Sequence, residues 1–325
     1  MLRSVEDRVQ FLVTFLLALL LPASLSANPL AEPITPVPHP VFSDLEIEKI
    51  ALGKQLFHDR RLSKDNSISC ASCHNIDKAG IDGNSISTGI NGAMGTVNAP
   101  TVFNSRFNVA QFWNGRADTL EEQASGPVHN PIEMGSTWNE VLIKLRDDAA
   151  YASKFNQIYS DFITSDNIVD AIATYERSLV TVDAPFDRYL RGEESAIPKR
   201  ALEGYRLFKS YGCIACHQGV NVGGNMYSRM GAMDLYFTKV EDESDLGRFS
   251  VTGNEADRHA FKVPSLRLAV KSAPYFHDGS IATLEEAVST MARYQLGREI
   301  SDQDTALIID FLHSLVGKPY EVPEQ

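Results

Sequence analysis

The chain has 325 residues and a formal net charge of −12 at pH 7, and 43% of its residues are hydrophobic. This length predicts two domains, each large enough to bury a core of its own. The acidic balance argues against a nucleic-acid-binding protein, because a phosphate backbone attracts basic surfaces.

The first 27 residues have the pattern of a secretory signal. Arg3 and Arg8 precede an apolar run from Phe11 to Leu21, which is too short to span a bilayer, and small residues follow. We expect cleavage after Ala27, with cleavage one residue earlier and an uncleaved anchor as the alternatives. The sequence therefore predicts an exported protein.

A proline-rich stretch over residues 28–42 predicts an extended lead-in. Ser43-Asp44-Leu45-Glu46 follows and has the pattern of a capping box, which opens a helix. The helix should run through Gly53-Lys54-Gln55-Leu56-Phe57 toward the motif described next.

Two copies of the pattern C-x-x-C-H consume all four cysteines of the chain: Cys70-Ala71-Ser72-Cys73-His74 and Cys213-Ile214-Ala215-Cys216-His217. In this pattern two thiols bond to the porphyrin edge and the adjacent histidine binds the iron, so each copy predicts a c-type haem. The alternatives are a four-cysteine zinc site, a redox C-x-x-C pair and disulfides. Neither a zinc site nor a redox pair requires a histidine after the second cysteine, twice.

The segment Gly53-Lys54-Gln55-Leu56-Phe57, which precedes the first motif, is repeated in similar form before the second motif as Gly204-Tyr205-Arg206-Leu207-Phe208. Each unit should also close with a helix: one capped by Ser165, and one capped by Ser301 with Asp304 and ended by Gly317. The sequence therefore predicts a mostly α-helical protein with two cytochrome c-type haem domains in tandem. We place the domains at residues 28–184 and 185–325.

Further motifs lie between and after the cysteine pairs. They are Asn98-Ala99-Pro100-Thr101-Val102-Phe103-Asn104, Gln111-Phe112-Trp113-Asn114-Gly115-Arg116, the segment from Gly126 to Gly135, Phe261-Lys262-Val263-Pro264-Ser265-Leu266-Arg267 and Pro274-Tyr275-Phe276-His277-Asp278-Gly279. In order and spacing, from about residue 44 to 316, the chain resembles the bacterial dihaem cytochrome c peroxidases.

The resemblance implies that the second haem receives electrons, with His217 and Met291 as its axial ligands. Thioether ligation raises a haem potential, which suits an electron store. Met291 also continues the apolar pattern of a capped helix, so a core role is its alternative. The resemblance puts His277 beside the second haem and Trp113 between the two haems; a structural histidine and a core tryptophan are the alternatives.

The first haem, bound through His74, would by the same resemblance reduce peroxide. Glu133 matches the family's acid-base glutamate and Gln123 an amide near the same pocket, although a lone glutamate in a loop is usually just solvated. Asn98, with the backbone carbonyls of Ser272 and Pro274, matches a Ca²⁺ site, and oxygen ligands suit that cation.

One position departs from the family pattern. Many members carry a histidine in the loop after the first motif that caps the peroxidatic iron, and the corresponding residue here is Ile90. No histidine lies between residues 75 and 128. We therefore hypothesise that the first haem is five-coordinate or water-bound when oxidised, so that no reductive activation is needed.

The function predicted is periplasmic reduction of H2O2 with electrons from a small cytochrome c or copper protein. A dihaem enzyme that oxidises residues of a partner protein is one alternative, although that class has tyrosine where Met291 stands. A non-catalytic dihaem electron carrier is another, against which Glu133 and Ile90 count. The acidic surface would suit a small basic electron donor. The resemblance also allows a homodimer.

Overall fold

The computed structural model describes residues 32–238 and 242–323, so the predicted signal segment 1–27 lies outside the described residues. From Pro33 onward the chain forms one compact unit. Within the described ranges, no helix combines the length and the apolar character needed to cross a bilayer.

The fold is mostly helical, as predicted. The α-helices are α1 Asp44–His58, α2 Cys70–Cys73, α3 Leu120–His129, α4 Trp138–Arg146, α5 Ala149–Ile158, α6 Ser165–Ser178, α7 Pro185–Leu190, α8 Lys199–Tyr211, α9 Phe249–Thr252, α10 Leu284–Leu296 and α11 Asp302–Ser314. The strands β1 Thr181–Val182 and β4 Lys318–Pro319 pair antiparallel, and so do β2 Tyr227–Arg229 and β3 Ala260–Lys262. Short 3₁₀ turns connect many of these elements, among them Ile90–Gly92 and Cys213–Ala215.

The first helix pair is α1 against α6. The capping box predicted at Ser43 is confirmed, with Glu46 as its reciprocal partner. The cap of α6 differs from the prediction: Thr164, rather than Ser165, accepts the hydrogen bond from the backbone of the first turn. The helices cross at Gly53, where a Cβ would lie 1.9 Å from the backbone oxygen of Ala171. Only a residue without a side chain permits this approach.

The second pair, α8 against α11, repeats this crossing. A Cβ on Gly204 would lie 1.8 Å from the backbone oxygen of Leu307. Ser301 caps α11 as predicted, by accepting from the backbone of Asp304. The helix ends at Ser314, however, before the predicted stop at Gly317. The Gly317 backbone is approached instead by β1, with a Cβ 2.7 Å from the oxygen of Val182. The internal repeat is therefore a repeated helix crossing.

A separate apolar core surrounds each crossing. The first core contains Phe57 and Tyr175, whose rings meet edge to face at 5.3 Å between centroids. The second contains Tyr205 and Phe311, at 5.0 Å. Burial of such rings supplies much of the free energy that holds each helix pair together.

The lead-in segment before α1 packs into the second core. Ile34 is 1% exposed and belongs to that core. A fully buried ion pair fixes the segment, because Arg267 binds Asp187 at 2.9 Å and also donates to the backbone oxygen of Thr35. The division of the chain at residue 184 stays a prediction.

Candidate haem sites

The first C-x-x-C-H motif forms the short helix α2 at the inner end of the first core. Burial raises the pKa of the Cys70 thiol to about 12 and also raises that of Cys73. In both cases burial disfavours the thiolate form. No disulfide joins the four cysteines. The described ranges hold no group of three or more His, Cys, Asp and Glu side chains placed to bind a metal ion.

His74 follows directly after α2 with its ring oriented by the backbone. Its Nδ1 lies 3.3 Å from the oxygen of Gly80, an arrangement that leaves Nε2 free for iron. Burial lowers the pKa of His74. The imidazole is thus held neutral, the form that binds a metal.

The second motif is a 3₁₀ turn after Gly212, whose φ of +100° ends α8. Burial lowers the pKa of His217 to about 4, opposed by the backbone oxygens of Val222 and Pro264. Neither oxygen completes a hydrogen bond, and Nδ1 of His217 is buried without a partner. A Cβ on Gly223 would lie 3.4 Å from this atom and 2.2 Å from the oxygen of Pro264.

A cavity of about 770 Å³ opens beside the first motif. Its volume lies in the range of sites for large organic ligands. The cavity is lined by both thiols and the histidine of the first motif and by four residues predicted for function: Asn98, Trp113, Gln123 and Glu133. The two thiols, the neutral His74 and this volume fit a covalently bound haem at the first site. The buried Nδ1 of His217, which has no partner, and the close approach of Gly223 to this ring fit a second haem at the second motif.

Glu133 lies in a turn after α3 and faces the cavity. Its Oε1 accepts a hydrogen bond of 2.7 Å from the Asn130 amide. Burial raises the pKa of Glu133, while the Asn130 hydrogen bond and the charge of Arg116 oppose the shift. The Arg116 guanidinium lies 3.3 Å from the centroid of the Phe112 ring. The site thus holds a carboxyl group with a fixed orientation and a perturbed acidity, as acid-base chemistry requires.

Trp113 makes hydrogen bonds to segments on both sides of residue 184, where we predicted the domain division. Its indole Nε1 donates to the backbone oxygen of Asn98 at 2.9 Å, and its own backbone oxygen accepts from Lys262 of β3 at 2.9 Å. Gln123 extends from α3 into the same cavity. Both lie in the cavity that contains Glu133.

Asn98 is fixed on three sides. Its Nδ2 donates to the backbone oxygens of Asn84 and Ser85, and its backbone N–H donates to the oxygen of His277 at 2.7 Å. The side-chain oxygen remains for a cation. Ser272 and Pro274 lie shortly before His277 and flank a cis peptide bond. Calcium at this position stays a prediction.

His277 is 4% exposed and has a carboxylate partner that sequence reasoning missed. Its Nε2 lies 2.8 Å from Oδ1 of Asp245, and its ring stacks on Phe261 with centroids 4.5 Å apart. Its role beside the second haem stays a prediction.

Met291 lies on α10, whose N-terminus is capped by Thr283. Leu284 and Val288, on the same helical face, pack against the second core together with Cys213. Near the end of α10, Leu296 lies 3.8 Å from a Cβ built on Gly212. The helix therefore runs beside the second motif, and ligation by Met291 stays a prediction.

Sequence reasoning also missed two buried charged residues in the first cavity, Glu176 and Lys262. Glu176 is 5% exposed, and its Oε2 has no hydrogen-bond partner. Burial raises its pKa to about 8. It lies one turn after the buried Ile172, on the apolar face of α6. A charged residue on that face is the sequence pattern that could have indicated a functional role for Glu176.

Residues 47–195 match the sequence model of a family described as di-haem cytochrome c peroxidase. The chain is 46% identical over 298 residues to the cytochrome c peroxidase Ccp of Escherichia coli K12, an alignment that covers 90% of this chain and 63% of that protein. It therefore spans less than two thirds of the E. coli relative. It is also 46% identical over 287 residues to the cytochrome c551 peroxidase of Nitrosomonas europaea, covering 88% of this chain and 84% of that one.

Among solved structures, a MauG-like protein associated with microbial copper homeostasis matches with a TM-score of 0.73. Sequence identity is 29%, and the match covers 88% of this chain and 93% of that one. The fold is thus shared along nearly the whole chain. By its sequence match and its two haem motifs, this chain belongs to the di-haem cytochrome c peroxidase family.

Proposed function

We propose that this protein is a periplasmic peroxidase that reduces H2O2 to water with electrons from a small cytochrome c or copper protein. The observation that carries the proposal is the position of Glu133. Its carboxyl group faces the same cavity as His74, is largely buried, and is held at 2.7 Å by Asn130. A plain electron carrier has no need of such a group beside its haem.

Glu133 acts on the protons of the substrate. A haem held by Cys70, Cys73 and His74 would supply the iron and the electrons that reduce the O–O bond. The Glu133 carboxylate accepts a proton from one peroxide oxygen and returns it to the other oxygen, which leaves as water. Asn130 orients Oε1, which leaves the other carboxylate oxygen for the substrate. The amide of Gln123 supplies a second polar group in the cavity.

His217 and Met291 would hold the second haem, and the Met291 thioether would raise its potential, as an electron store requires. Trp113 supports this division of roles, since it lies in the first cavity and its backbone is bonded to β3 of the second half. Asn98, Ser272 and Pro274 bind Ca²⁺ through oxygen atoms next to this junction. Export to the periplasm fits the covalent attachment of haem, which occurs outside the bacterial cytoplasm.

The first haem has no histidine cap, and the enzyme needs no reductive activation. Ile90 holds the position at which many family members carry the capping histidine, and its side chain cannot bind iron. It is 6% exposed, and a Cβ built on Gly135 would lie 2.3 Å from its Cδ1. This packing holds the Ile90 side chain against the turn that carries Glu133.

Oxidation of residues on a partner protein is the second candidate. The similarity to a MauG-like structure and the absence of a loop histidine favour it. Met291 counts against it, because that class has tyrosine at this position. The 46% identity to named peroxidases also favours the first candidate.

Steady-state kinetics test the proposal. The oxidised holoprotein, given H2O2 and a reduced small cytochrome c, should oxidise two molecules of cytochrome for each peroxide consumed. If neither a small cytochrome c nor a copper protein is oxidised by H2O2 faster with the protein than without it, the proposed peroxidase activity is contradicted. Peroxide-dependent oxidation of a partner protein in the same assay would favour the second candidate.

A further inference from the structure

The first cavity contains a buried cation for which the described part of the chain supplies no charged partner. Lys262 is 8% exposed and lines the cavity. Among the described residues, none places a carboxylate within hydrogen-bonding or ion-pairing distance of its Nζ. The other cation there, Arg116, differs, because its charge is attracted to Glu133 and its guanidinium covers Phe112.

An ammonium group in this position is costly. Buried charges in proteins are nearly always paired, since removing an ion from water costs several kcal/mol. Burial lowers the pKa of Lys262 to about 8, and no charged neighbour opposes this shift. Lys262 is therefore a buried cation without a paired anion among the described residues.

The chemistry of the cavity identifies this anion. Cys70, Cys73 and His74 line the same cavity, and the haem they hold carries two propionate carboxylates. A propionate in this cavity needs a cation as its partner. Glu176 also lines the cavity, but its carboxyl group cannot be that partner, because it is itself an acid. We propose that Lys262 is the buried counter-ion of a propionate of the first haem. This inference rests on the haem that the proposed function also requires, and not on peroxide reduction.

The backbone of Lys262 gives this ion pair a fixed place. β3 pairs with β2, and the Lys262 N–H donates to the oxygen of Trp113 at 2.9 Å. The preceding residue, Phe261, stacks on His277. A cation held here favours the reduced haem, because reduction adds negative charge close to it. Lys262 is thus a positioning residue that raises the potential of the first haem.

Potentiometry of the holoprotein tests the inference. Lys262→Met keeps most of the side-chain volume and removes the charge. It should lower the midpoint potential of the first haem, leave that of the second nearly unchanged, and shift the propionate bending band in resonance Raman spectra. Lys262→Arg should restore most of the potential. Lys154→Met removes a charge outside the cavity, where Nζ binds Gln55, and should change neither measurement.

An unchanged potential and an unchanged propionate band in Lys262→Met, with both haems attached by pyridine haemochrome assay, would overturn the inference. If that variant loses a haem, Lys262→Gln decides, because the amide is polar but neutral: a native potential and a native propionate band in Lys262→Gln would exclude an ion pair with this side chain. Native potentials without peroxide turnover would overturn only the proposed function.

Discussion

The backbone N–H of Ile90 donates to the backbone oxygen of Glu133 over 2.9 Å. This hydrogen bond joins the loop after the first haem motif to the turn that carries the acid-base candidate. The Ile90 side chain packs on Gly135 of the same turn. The residue that replaces a capping histidine therefore also supports the position of Glu133.

The oxidised protein should show two different iron centres. Because Ile90 cannot bind iron, we expect a high-spin signal from the first haem and a low-spin signal from the second in the EPR spectrum. Prior reduction should leave the initial rate of peroxide turnover unchanged. Low-spin signals from both haems would contradict an open first site.

Glu133→Gln should lower peroxide turnover by about 10²–10⁴-fold, because an amide cannot accept and return the proton. Steady-state rates at saturating donor measure this effect. Glu48→Gln, at an exposed position of α1, is the matched control and should have native activity. Native activity in Glu133→Gln, with both haems bound, would remove this residue from the mechanism.

The pH profile should report the environment of Glu133. Burial raises its pKa, so the carboxyl group keeps its proton to a higher pH than an ordinary glutamate. The base form is then lost as pH falls through this raised value, and kcat/KM should decline there. Arg116→Met removes a charge that opposes the shift and should move the decline to higher pH. An acid limb unmoved by this substitution would indicate that another group titrates.

Met291→Leu should remove the thioether ligand of the second haem. We expect its midpoint potential to fall and the charge-transfer band of a methionine-ligated ferric haem to disappear. Met233→Leu, an exposed methionine, is the control and should leave both unchanged. If the band persists in Met291→Leu, Met291 belongs to the apolar core alone.

Gly53→Ala and Gly204→Ala should each destabilise one helix crossing. A Cβ at either position meets a backbone oxygen within 2 Å, and a backbone shift is needed to accommodate it. We expect a loss of about 1–3 kcal/mol in the free energy of unfolding, measured with urea. Lys54→Ala, on the exposed side of α1, should stay within about 0.5 kcal/mol of the native protein. Equal stabilities of all three variants would contradict the packing described.

Much of the helical fold follows from local sequence. The cap residues Ser43 and Ser301 placed the starts of α1 and α11, because a helix start depends on a few neighbouring residues. Two predictions of helix ends were wrong. Thr164 and Ser165 are both good caps, so local sequence does not choose between them at the start of α6. Gly317 contacts β1 instead of ending α11, and this contact depends on tertiary packing.

The sequence by itself determined the cofactor chemistry, because a C-x-x-C-H motif carries the thiols and the iron ligand within five consecutive residues. Only the tertiary structure decided which distant charges meet. Asp245 beside His277, and Glu176 and Lys262 in the first cavity, come from separate elements, so no local spacing relates them. Burial shifts the pKa values of Glu176 and Lys262, and burial is a property of the folded chain alone.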